Sequence, residues 1–315
     1  TRIRPAAGNP SSRPIALNSG LKGIHARSCL SLALAALLCL SAFAAHALEL
    51  QCHAPLRPPE PRGLSLYVMP LLGADCMLVV ADGQTLLVDM GKDMDYPVIR
   101  DHLRRLGIHT IDLAFNTHPH SDHVGAMPQL AEEFKVGRFL TAFPADVAGP
   151  SVFQKRTLTR LEALGVPVER VSDGDRFALG GAQCLVMQNA IGDMNARSAL
   201  LHISYGETAL LLAADVDVFA QNRIYRAYPD ALRAQVLKYP HHGTGDLDSG
   251  FFKAVSPEFT IITHGSGDTK KSQCLLDRWD IPYMFATRGV ITVHSNGEKL
   301  FVSQELMDHF LEQAQ

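Results

Sequence analysis

Four side chains of types that often bind metal ions fall within six positions of the chain: His118, His120, Asp122 and His123. They stand in the stretch NTHPHSDHVGA (116–126), after the apolar run TIDLAFNT, which is typical of a buried strand. Polar groups of this kind are costly to bury unless each one has a partner. The cluster therefore constrains the fold, because a buried strand must deliver it to a cleft where other segments supply partners.

The spacing within this cluster suits two neighbouring cations. On an extended segment, residues two apart point to the same side, so His118 and His120 can approach one cation together. A turn after them can bring Asp122 and His123 toward a second point nearby. Imidazole and carboxylate are ligands that zinc accepts, and manganese and iron tolerate them too. The alternative, a solvated polar loop, is disfavoured because residues of the same types recur at other strand ends.

The remaining chain reads as strands with helices inserted between some of them. Apolar runs such as LSLYVMPL, CMLVVADG and QTLLVDMG favour strands, and Asp82-Gly83 between the last two is typical of a hairpin turn. YPVIRDHLRRLGI and residues 217–228 favour helices. Further strands are predicted in SALLHISYG, ETALLLAADV, AQVLKYP and EFTIIT. This mixed order predicts a layered α/β domain.

The first 47 residues differ from the rest. They carry five basic and no acidic residues, then an apolar run, then Ala45-x-Ala47, a pattern that predicts a cleaved signal peptide and a periplasmic or secreted protein. A membrane anchor is the alternative, but the apolar run is short for a full span. Residues 48–63 form a proline-rich lead-in, and 64–315 are predicted to be the functional domain.

Charge and cysteine content limit the partners that we expect. The chain has 29 basic and 32 acidic residues; without the five basic residues of the leader it has 24 against 32, a net charge of −8. This balance does not favour tight binding of nucleic acid. Outside the leader, Cys52, Cys76, Cys184 and Cys274 are scattered and form no CxxC, so a cysteine zinc site is not expected. Cys76 and Cys184 lie in strand-like runs and are predicted to be buried free thiols.

THPHSDHVGAM resembles the HxHxDH signature of the metallo-β-lactamase superfamily. The resemblance implies a four-layer αββα sandwich over most of residues 64–305. It also implies two divalent metal ions, zinc above all, with His118 and His120 on the first and Asp122 and His123 on the second. Asp89 in TLLVDMG matches the aspartate that orients the site in this family.

The resemblance extends to ligands further along the chain. LLLAADV resembles the strand end whose aspartate bridges both metals, here Asp215; the alternative role is a helix N-cap. LKYPHHGTG resembles the final histidine element. We assign His241 to the metal and His242 to the reacting group, although both fit either role from sequence.

A narrower resemblance concerns PHHGT and FFKAVSPEFTIIT, which are similar to the C-terminal hydrolase domain of the bacterial competence channel and to secreted phosphorylcholine esterases. That subgroup carries N-x-N-S where relatives have a third histidine, and this chain has Asn195-Ala-Arg197-Ser198. Asn195 is therefore expected to be a weak oxygen ligand, with His202 as an alternative that more often has a structural role. Arg197 suits an anionic substrate or the surface. His264, at a strand end, is a candidate substrate contact.

These expectations predict an exported metal-dependent hydrolase that uses a metal-bound hydroxide. Asp122 would orient that hydroxide and accept its proton. The subgroup resemblance favours a phosphodiester or another phosphate ester as substrate, with a small molecule preferred over nucleic acid. The alternatives are a carbonyl hydrolase of the lactonase or β-lactamase type and a non-catalytic binding protein on the same fold.

Overall fold

Two β-sheets pack face to face in the computed structural model, which describes residues 48–51, 53–144 and 151–310. The first sheet has nine strands among the described residues. In spatial order they are β1 (Leu48–Gln51), β16 (Leu300–Leu306), β15 (Gly289–Ser295), β2 (Leu64–Val68), β3 (Cys76–Ala81), β4 (Gln84–Met90), β5 (Thr110–Asn116), β6 (Lys135–Thr141) and β7 (Val168–Arg170).

The second sheet has seven strands in the same described part of the chain. In spatial order they are β14 (Tyr283–Phe285), β13 (Phe259–Ile262), β12 (Val236–Lys238), β11 (Thr208–Leu212), β10 (Ala199–Tyr205), β9 (Ala182–Gln188) and β8 (Arg176–Leu179).

Helices cover the outer face of each sheet. They are α1 (Tyr96–Arg105), α2 (Ser121–Val124), α3 (Met127–Glu133), α4 (Val152–Ala163), α5 (Val218–Ala227), α6 (Ser249–Val255) and α7 (Lys270–Arg278). Short 3₁₀ turns occupy Asp93–Asp95, Pro240–Gly243 and Ala286–Arg288. Ile99 and Leu103 of α1 pack on the first sheet, while Ile224 of α5 and Leu276 of α7 pack on the second. The layers are therefore helix, sheet, sheet and helix, which confirms the predicted αββα sandwich.

The core between the sheets is built from side chains that alternate along the strands. Leu66, Val79 and Phe115 of the first sheet meet Ile203 and Val236 of the second, and all five are buried. Intervening residues such as Tyr67 and Leu78 are also buried, because they face the helical layer on the other side. This burial on both faces explains why the strands read as continuous apolar runs and not as strict alternation.

Parallel pairing brings the functional loops to one end of the sandwich. Strands β4, β5 and β6 run parallel in the first sheet, and β11, β12 and β13 run parallel in the second. Chemically reactive side chains of such sheets usually lie beyond the carboxyl ends of the strands. The loops after these strands carry the histidine cluster, Asp215 and the 241–242 pair, so the topology collects them at one edge.

Several local predictions can be compared directly with the structure. Asp82 and Gly83 have positive φ angles of 47° and 85° and form the hairpin turn between β3 and β4. The helix expected at 217–228 is Val218–Ala227. The lead-in was expected to be extended; its first residues form β1, which pairs in parallel with β16. Cys76 and Cys184 are free and buried, as predicted, and Cys274 is free and exposed.

The predicted signal peptide (1–47) and Cys52 lie outside the described residues. In the part of the chain that the structure describes, none of the helices has the length and apolar character needed to cross a membrane.

Candidate metal centre

One carboxylate oxygen, Oδ2 of Asp215, lies among four imidazoles. The Nε2 atoms of His123 and His242 are 3.2 and 3.3 Å from it. Those of His241 and His118 are 3.8 and 3.9 Å away. These residues come from three loops, after β5, β11 and β12. The segments that were expected to converge thus meet at a single oxygen.

Asp122, His123, Asp215 and His242 enclose a space that suits one cation. Oδ2 of Asp122 lies 3.3 Å from Nε2 of His242 and 3.9 Å from Nε2 of His123. Four ligand atoms bound tetrahedrally to zinc at about 2.0–2.2 Å lie about 3.3–3.6 Å from one another. The distances between these side-chain atoms are close to that range. Nε2 of His123 and Nε2 of His242 are buried and make no hydrogen bond. Buried nitrogens without a partner that face two carboxylates fit a divalent cation.

Each of these two histidines is held at its other nitrogen by a buried aspartate. Nδ1 of His123 donates to Asp89 at 2.7 Å, and Nδ1 of His242 donates to Asp75 at 3.1 Å. Because a carboxylate only accepts, the proton is fixed on Nδ1 and the lone pair of Nε2 points into the site. Asp89 was expected from the sequence, whereas Asp75 was not.

Asp75 supports His242 and does not face the cation space. One oxygen of Asp75, one of Asp215 and one nitrogen each of His123 and His242 lie within 4.8 Å of one another, so Asp75 is close enough to be considered as a ligand. Its Oδ1, however, accepts from Thr263 Oγ1 at 2.7 Å and from His242, while Oδ2 is ion-paired with Lys238. Both oxygens are therefore engaged on the far side of the His242 ring.

Lys238 is the second residue that sequence reasoning missed. Its side chain is fully buried at the end of β12. Its ammonium donates to the carbonyl of Ala214 at 3.1 Å, pairs with Asp75, and lies 3.7 Å from Oδ1 of Asp215. The ammonium therefore faces Oδ1, which leaves Oδ2 as the oxygen of Asp215 that faces the imidazoles.

His118 and His120 form the second group of nitrogen atoms. Thr117 donates its one hydroxyl proton to Asp89 at 2.7 Å, so it accepts from Nδ1 of His118 at 3.1 Å. The lone pair of His118 Nε2 is therefore free, and this atom lies 3.0 Å from Nδ1 of His120. With Asp215 nearby, these two nitrogens could hold a second cation.

Asn195 is linked to Asp215 through Ser198. The hydroxyl of Ser198 donates to the backbone carbonyl of Asn195 at 2.7 Å and accepts from the amide of Asp215 at 3.3 Å. Oδ1 of Asn195 is buried and has no hydrogen-bond partner. Ser198 thus connects Asn195 to Asp215, and the buried Oδ1 of Asn195 has no partner. This is compatible with the weak oxygen ligand that was expected of Asn195.

The two histidines of the 241–242 pair differ in a way that the sequence did not reveal. His242 is buried, is oriented by Asp75, and lies 3.3 Å from both Asp122 and Asp215. The side chain of His241 is 43% exposed and its Nε2 is 3.8 Å from Asp215. His242 is therefore the buried ring close to both carboxylates, and His241 is the partly exposed ring. Which of the two would bind a metal stays a prediction.

The other expected residues lie around this centre. The guanidinium carbon of Arg197 lies 5.4 Å from the centre of the Phe143 ring. Phe143 itself is on the loop after β6. His264 follows Thr263, accepts from the amide of Gly265 at 2.8 Å, and packs closely against Gly73. The structure thus leaves both side chains at the site end of the sandwich.

His202 and Asp217 settle two alternatives that the sequence left open. His202 donates from Nε2 to the carbonyl of Arg233 at 2.9 Å, which is the structural role. The N-cap of α5 is Asp217, whose Oδ1 accepts from the amide of Ala220 at 2.8 Å. Asp215 is therefore not the N-cap and is available to the centre.

The backbone is strained where it delivers these side chains. Positive φ angles occur at Asp89 (55°), Ala214 (47°), His241 (50°) and His242 (56°). Such a conformation costs a residue with a side chain roughly 1–2 kcal/mol. Four of the seven positive-φ residues other than glycine among the described residues thus belong to this centre, which indicates that side-chain placement there outweighs backbone preference.

The buried charges shift the pKa values of the imidazoles in opposite directions. Burial lowers the pKa of His118 well below its usual value, and it lowers that of His241. Burial also opposes the charged form of His242, but Asp215 and Asp75 outweigh it and raise the pKa to about 10. Asp215 and Asp89 likewise raise the pKa of His123 well above its usual value. Without a metal, protons on these two imidazoles therefore balance the carboxylates, a role that a divalent cation can take over.

Comparison with known proteins gives a match to one family model over part of the chain, and a fold. Residues 69–217 match the family model of the metallo-beta-lactamase superfamily. Competence protein ComA from Neisseria gonorrhoeae is 35% identical over 80 residues, which cover 25% of this chain and 12% of ComA. The chain thus matches only a small part of the length of ComA.

Solved structures share the architecture at low sequence identity. CmlA, a diiron beta-hydroxylase from Streptomyces venezuelae, has a TM-score of 0.51 and 15% identity over 75% of this chain and 55% of CmlA. A mutant of the same beta-hydroxylase gives a TM-score of 0.52 and 16% identity with the same coverage. At this identity the likeness concerns the fold alone, and the chain spans about half of CmlA. Residues 69–217 thus match the metallo-β-lactamase superfamily model, and the αββα layers show that the described chain has the metallo-β-lactamase fold.

Proposed function

We propose that this protein is a metal-dependent hydrolase of phosphodiesters or related phosphate esters. The observation that carries the proposal is the single oxygen of Asp215 within 3.9 Å of four imidazole nitrogens. Asp75, Asp89, Asp122 and Asp215 place four carboxylates in or beside this centre, and Lys238 pairs with Asp75 and lies 3.7 Å from Asp215. Two divalent cations would offset this excess of negative charge.

The residues of the centre would have two roles, which are to hold the cations and to orient the attacking water. His123, His242, Asp122 and Asp215 would hold one cation, and His118, His120, Asp215 and Asn195 the other. Bound divalent cations supply Lewis acidity and lower the pKa of a coordinated water toward neutrality. The side chain of Asp122 is 26% exposed and its pKa is lowered to about 2: burial opposes ionisation, but His242 and His123 outweigh it. Ionised Asp122 can therefore orient an attacking water by accepting its hydrogen bond.

His241 and Arg197 would act on the substrate. Because burial lowers the pKa of His241, its half-exposed ring is neutral near pH 7 and can exchange a proton with a group in the cleft. The planar guanidinium of Arg197 suits a phosphate oxygen, and Phe143 holds it from one face.

The choice of phosphate esters rests on the narrower sequence resemblance. PHHGT and the Asn195-to-Ser198 segment are similar to the competence-channel subgroup, and the short match to ComA supports the same choice. We propose zinc as the metal and test iron beside it, because CmlA is a diiron protein of the same fold. The leader-like N-terminus supports a periplasmic or secreted location.

The test compares two substrates on one preparation. Protein loaded with zinc or iron is assayed on bis(p-nitrophenyl) phosphate and on nitrocefin, with metal content measured by elemental analysis. We expect two metal equivalents and hydrolysis of the phosphodiester, and both should fall in the Asp215→Asn variant. Cleavage of nitrocefin alone would establish a carbonyl hydrolase. Absence of bound metal and of both activities would establish a binding protein on this fold.

A further inference from the structure

Exposed apolar side chains concentrate at the end of the sandwich that carries the metal centre. Ten large apolar residues are exposed in the described part of the chain, and six of them lie on loops or helix starts at this end. The six are Leu72, Met94, Val152, Ile191, Val218 and Phe219. Exposed apolar side chains that gather in one place indicate a binding surface, whereas scattered ones are ordinary.

These residues are attached to the loops that build the centre. Leu72 lies three residues before Asp75, and its carbonyl accepts from Lys92 at 2.8 Å. Ser151, just before Val152, donates to the carbonyl of Pro119. Val218 and Phe219 begin the helix that follows Asp215. A group bound at the metals would therefore meet apolar surface on several sides.

A cavity beside His241 extends this apolar surface inward. It has a volume of about 690 Å³, and Val218, Tyr239, Leu247 and Leu275 give it a largely apolar surface, beside charged lining residues such as Asp246 and Arg278. Gly245 also lines it and closes on His241: a Cβ at Gly245 would stand 3.1 Å from Cβ of His241. Pockets of this size with apolar walls typically bind small organic groups.

The charges around the cavity argue against a polynucleotide. Five exposed aspartates lie on the loops of this end: Asp93, Asp193, Asp217, Asp246 and Asp268. Lys271, at the cavity, is ion-paired with Asp246. A polynucleotide is bound best by a continuous surface of lysine and arginine. The negative charges of these aspartates make the surface at this end unsuitable for it.

We propose that the cavity beside His241 binds an apolar group of the substrate, so that the protein acts on small phosphate esters with an alkyl or aryl substituent. This inference rests on the proposed function and narrows it. The ester would lie at the metals, and the substituent would extend past His241 between Val218 and Leu275. A bilayer surface is the competing occupant, but a concave, half-open cavity next to the centre fits one substituent of a small molecule better.

The test uses a series of alkyl p-nitrophenyl phosphates that share one leaving group. For methyl, propyl and butyl esters, kcat/KM should rise about fourfold for each buried methylene. Val218→Ser and Leu275→Ser should reduce the butyl-to-methyl ratio at least fivefold. Leu164→Ser is the matched control, because Leu164 is about as exposed as Val218 but follows the far end of α4. It should leave the ratio unchanged.

A binding measurement separates this inference from the proposed function. Fluorescence of N-phenyl-1-naphthylamine should increase with the wild-type protein and with Leu164→Ser, and much less with Val218→Ser. If no ester is cleaved but this pattern holds, the hydrolase proposal fails and the cavity stands. Equal kcat/KM for methyl and butyl esters, a preference for thymidine 5′-p-nitrophenyl phosphate, or sedimentation with phosphatidylcholine vesicles that Val218→Ser abolishes would each overturn the inference.

Discussion

Nδ1 of His242 lies 3.1 Å from Oδ1 of Asp75, a residue 167 positions earlier in the chain. The same carboxylate accepts from Thr263 and pairs with Lys238, so three residues at the strand ends and loops of the second sheet converge on one aspartate of the first sheet. This arrangement fixes the direction in which His242 offers its Nε2 lone pair. Each of the predictions below tests a contact of this kind.

Replacing Asp75 should weaken metal binding without removing a ligand. Asp75→Asn keeps the shape of the side chain but removes the charge that orients His242, and loss of such a partner typically costs about 10–100-fold in metal affinity. Competition with a chromophoric chelator measures this affinity. Asp101→Asn, at an exposed position of α1, is the control that should bind metal normally. Normal affinity in Asp75→Asn would show that Asp75 has no orienting role.

Lys238 should be important for stability because its removal leaves a buried carboxylate without its cation. We expect Lys238→Met to lower the free energy of unfolding by about 3–5 kcal/mol, as for other broken buried ion pairs. Urea denaturation of the metal-free protein measures the loss. Adding Asp75→Asn to Lys238→Met should recover part of it, because the unpaired charge disappears. A loss below about 1 kcal/mol would contradict the buried pairing.

The two adjacent histidines should respond differently to the same substitution. His242→Gln should lose about one metal equivalent, because it removes a nitrogen that lies 3.3 Å from both Asp122 and Asp215. His241→Gln should keep both equivalents and lower kcat more than it raises KM. Elemental analysis and steady-state kinetics on both variants measure these effects. The reverse pattern would restore the assignment made from sequence.

Metal uptake should release protons and strengthen as pH rises. The pKa of His242 is raised to about 10, because Asp215 and Asp75 outweigh the effect of burial. Below that pH its imidazole is protonated in the metal-free protein, so a cation must displace the proton before it can bind. Apparent affinity should therefore rise about tenfold per pH unit for each proton released. Calorimetry of zinc binding in buffers of different ionisation enthalpy counts these protons, and a count of zero at pH 7 would contradict the protonated state.

Much of the centre could be predicted because its ligands stand in short patterns directly after strands. One stretch of six positions contains His118, His120, Asp122 and His123. Other apolar runs are followed by Asp215 and by the 241–242 pair. Parallel strands then bring their carboxyl ends together, so the convergence follows from local pattern and topology. The αββα layers followed from the family resemblance, and the mixed order of strands and helices agreed with it.

Asp75 and Lys238 could not be recognised in this way. Each is a single charged residue beside an apolar run, and the partner that explains its burial lies more than 160 positions away. Asp75 in LLGADCMLVV and Lys238 in AQVLKYP nevertheless carry a usable signal, because an isolated charge at a buried strand implies a distant opposite charge. The pairing of β1 with β16 was missed for a related reason: strands so far apart have no turn between them to set their register.

The division of the centre between two sheets has a consequence for how the protein matures. Asp75, Asp89 and the 118–123 cluster belong to the strands and loops of the first sheet, whereas Asp215, Lys238 and His242 belong to those of the second. In the proposed ligand sets each cation would draw ligands from both halves, so full coordination would require that the halves have closed on each other. Metal binding would then come late in folding and would stabilise correctly assembled molecules over intermediates in which the two halves are not yet packed together.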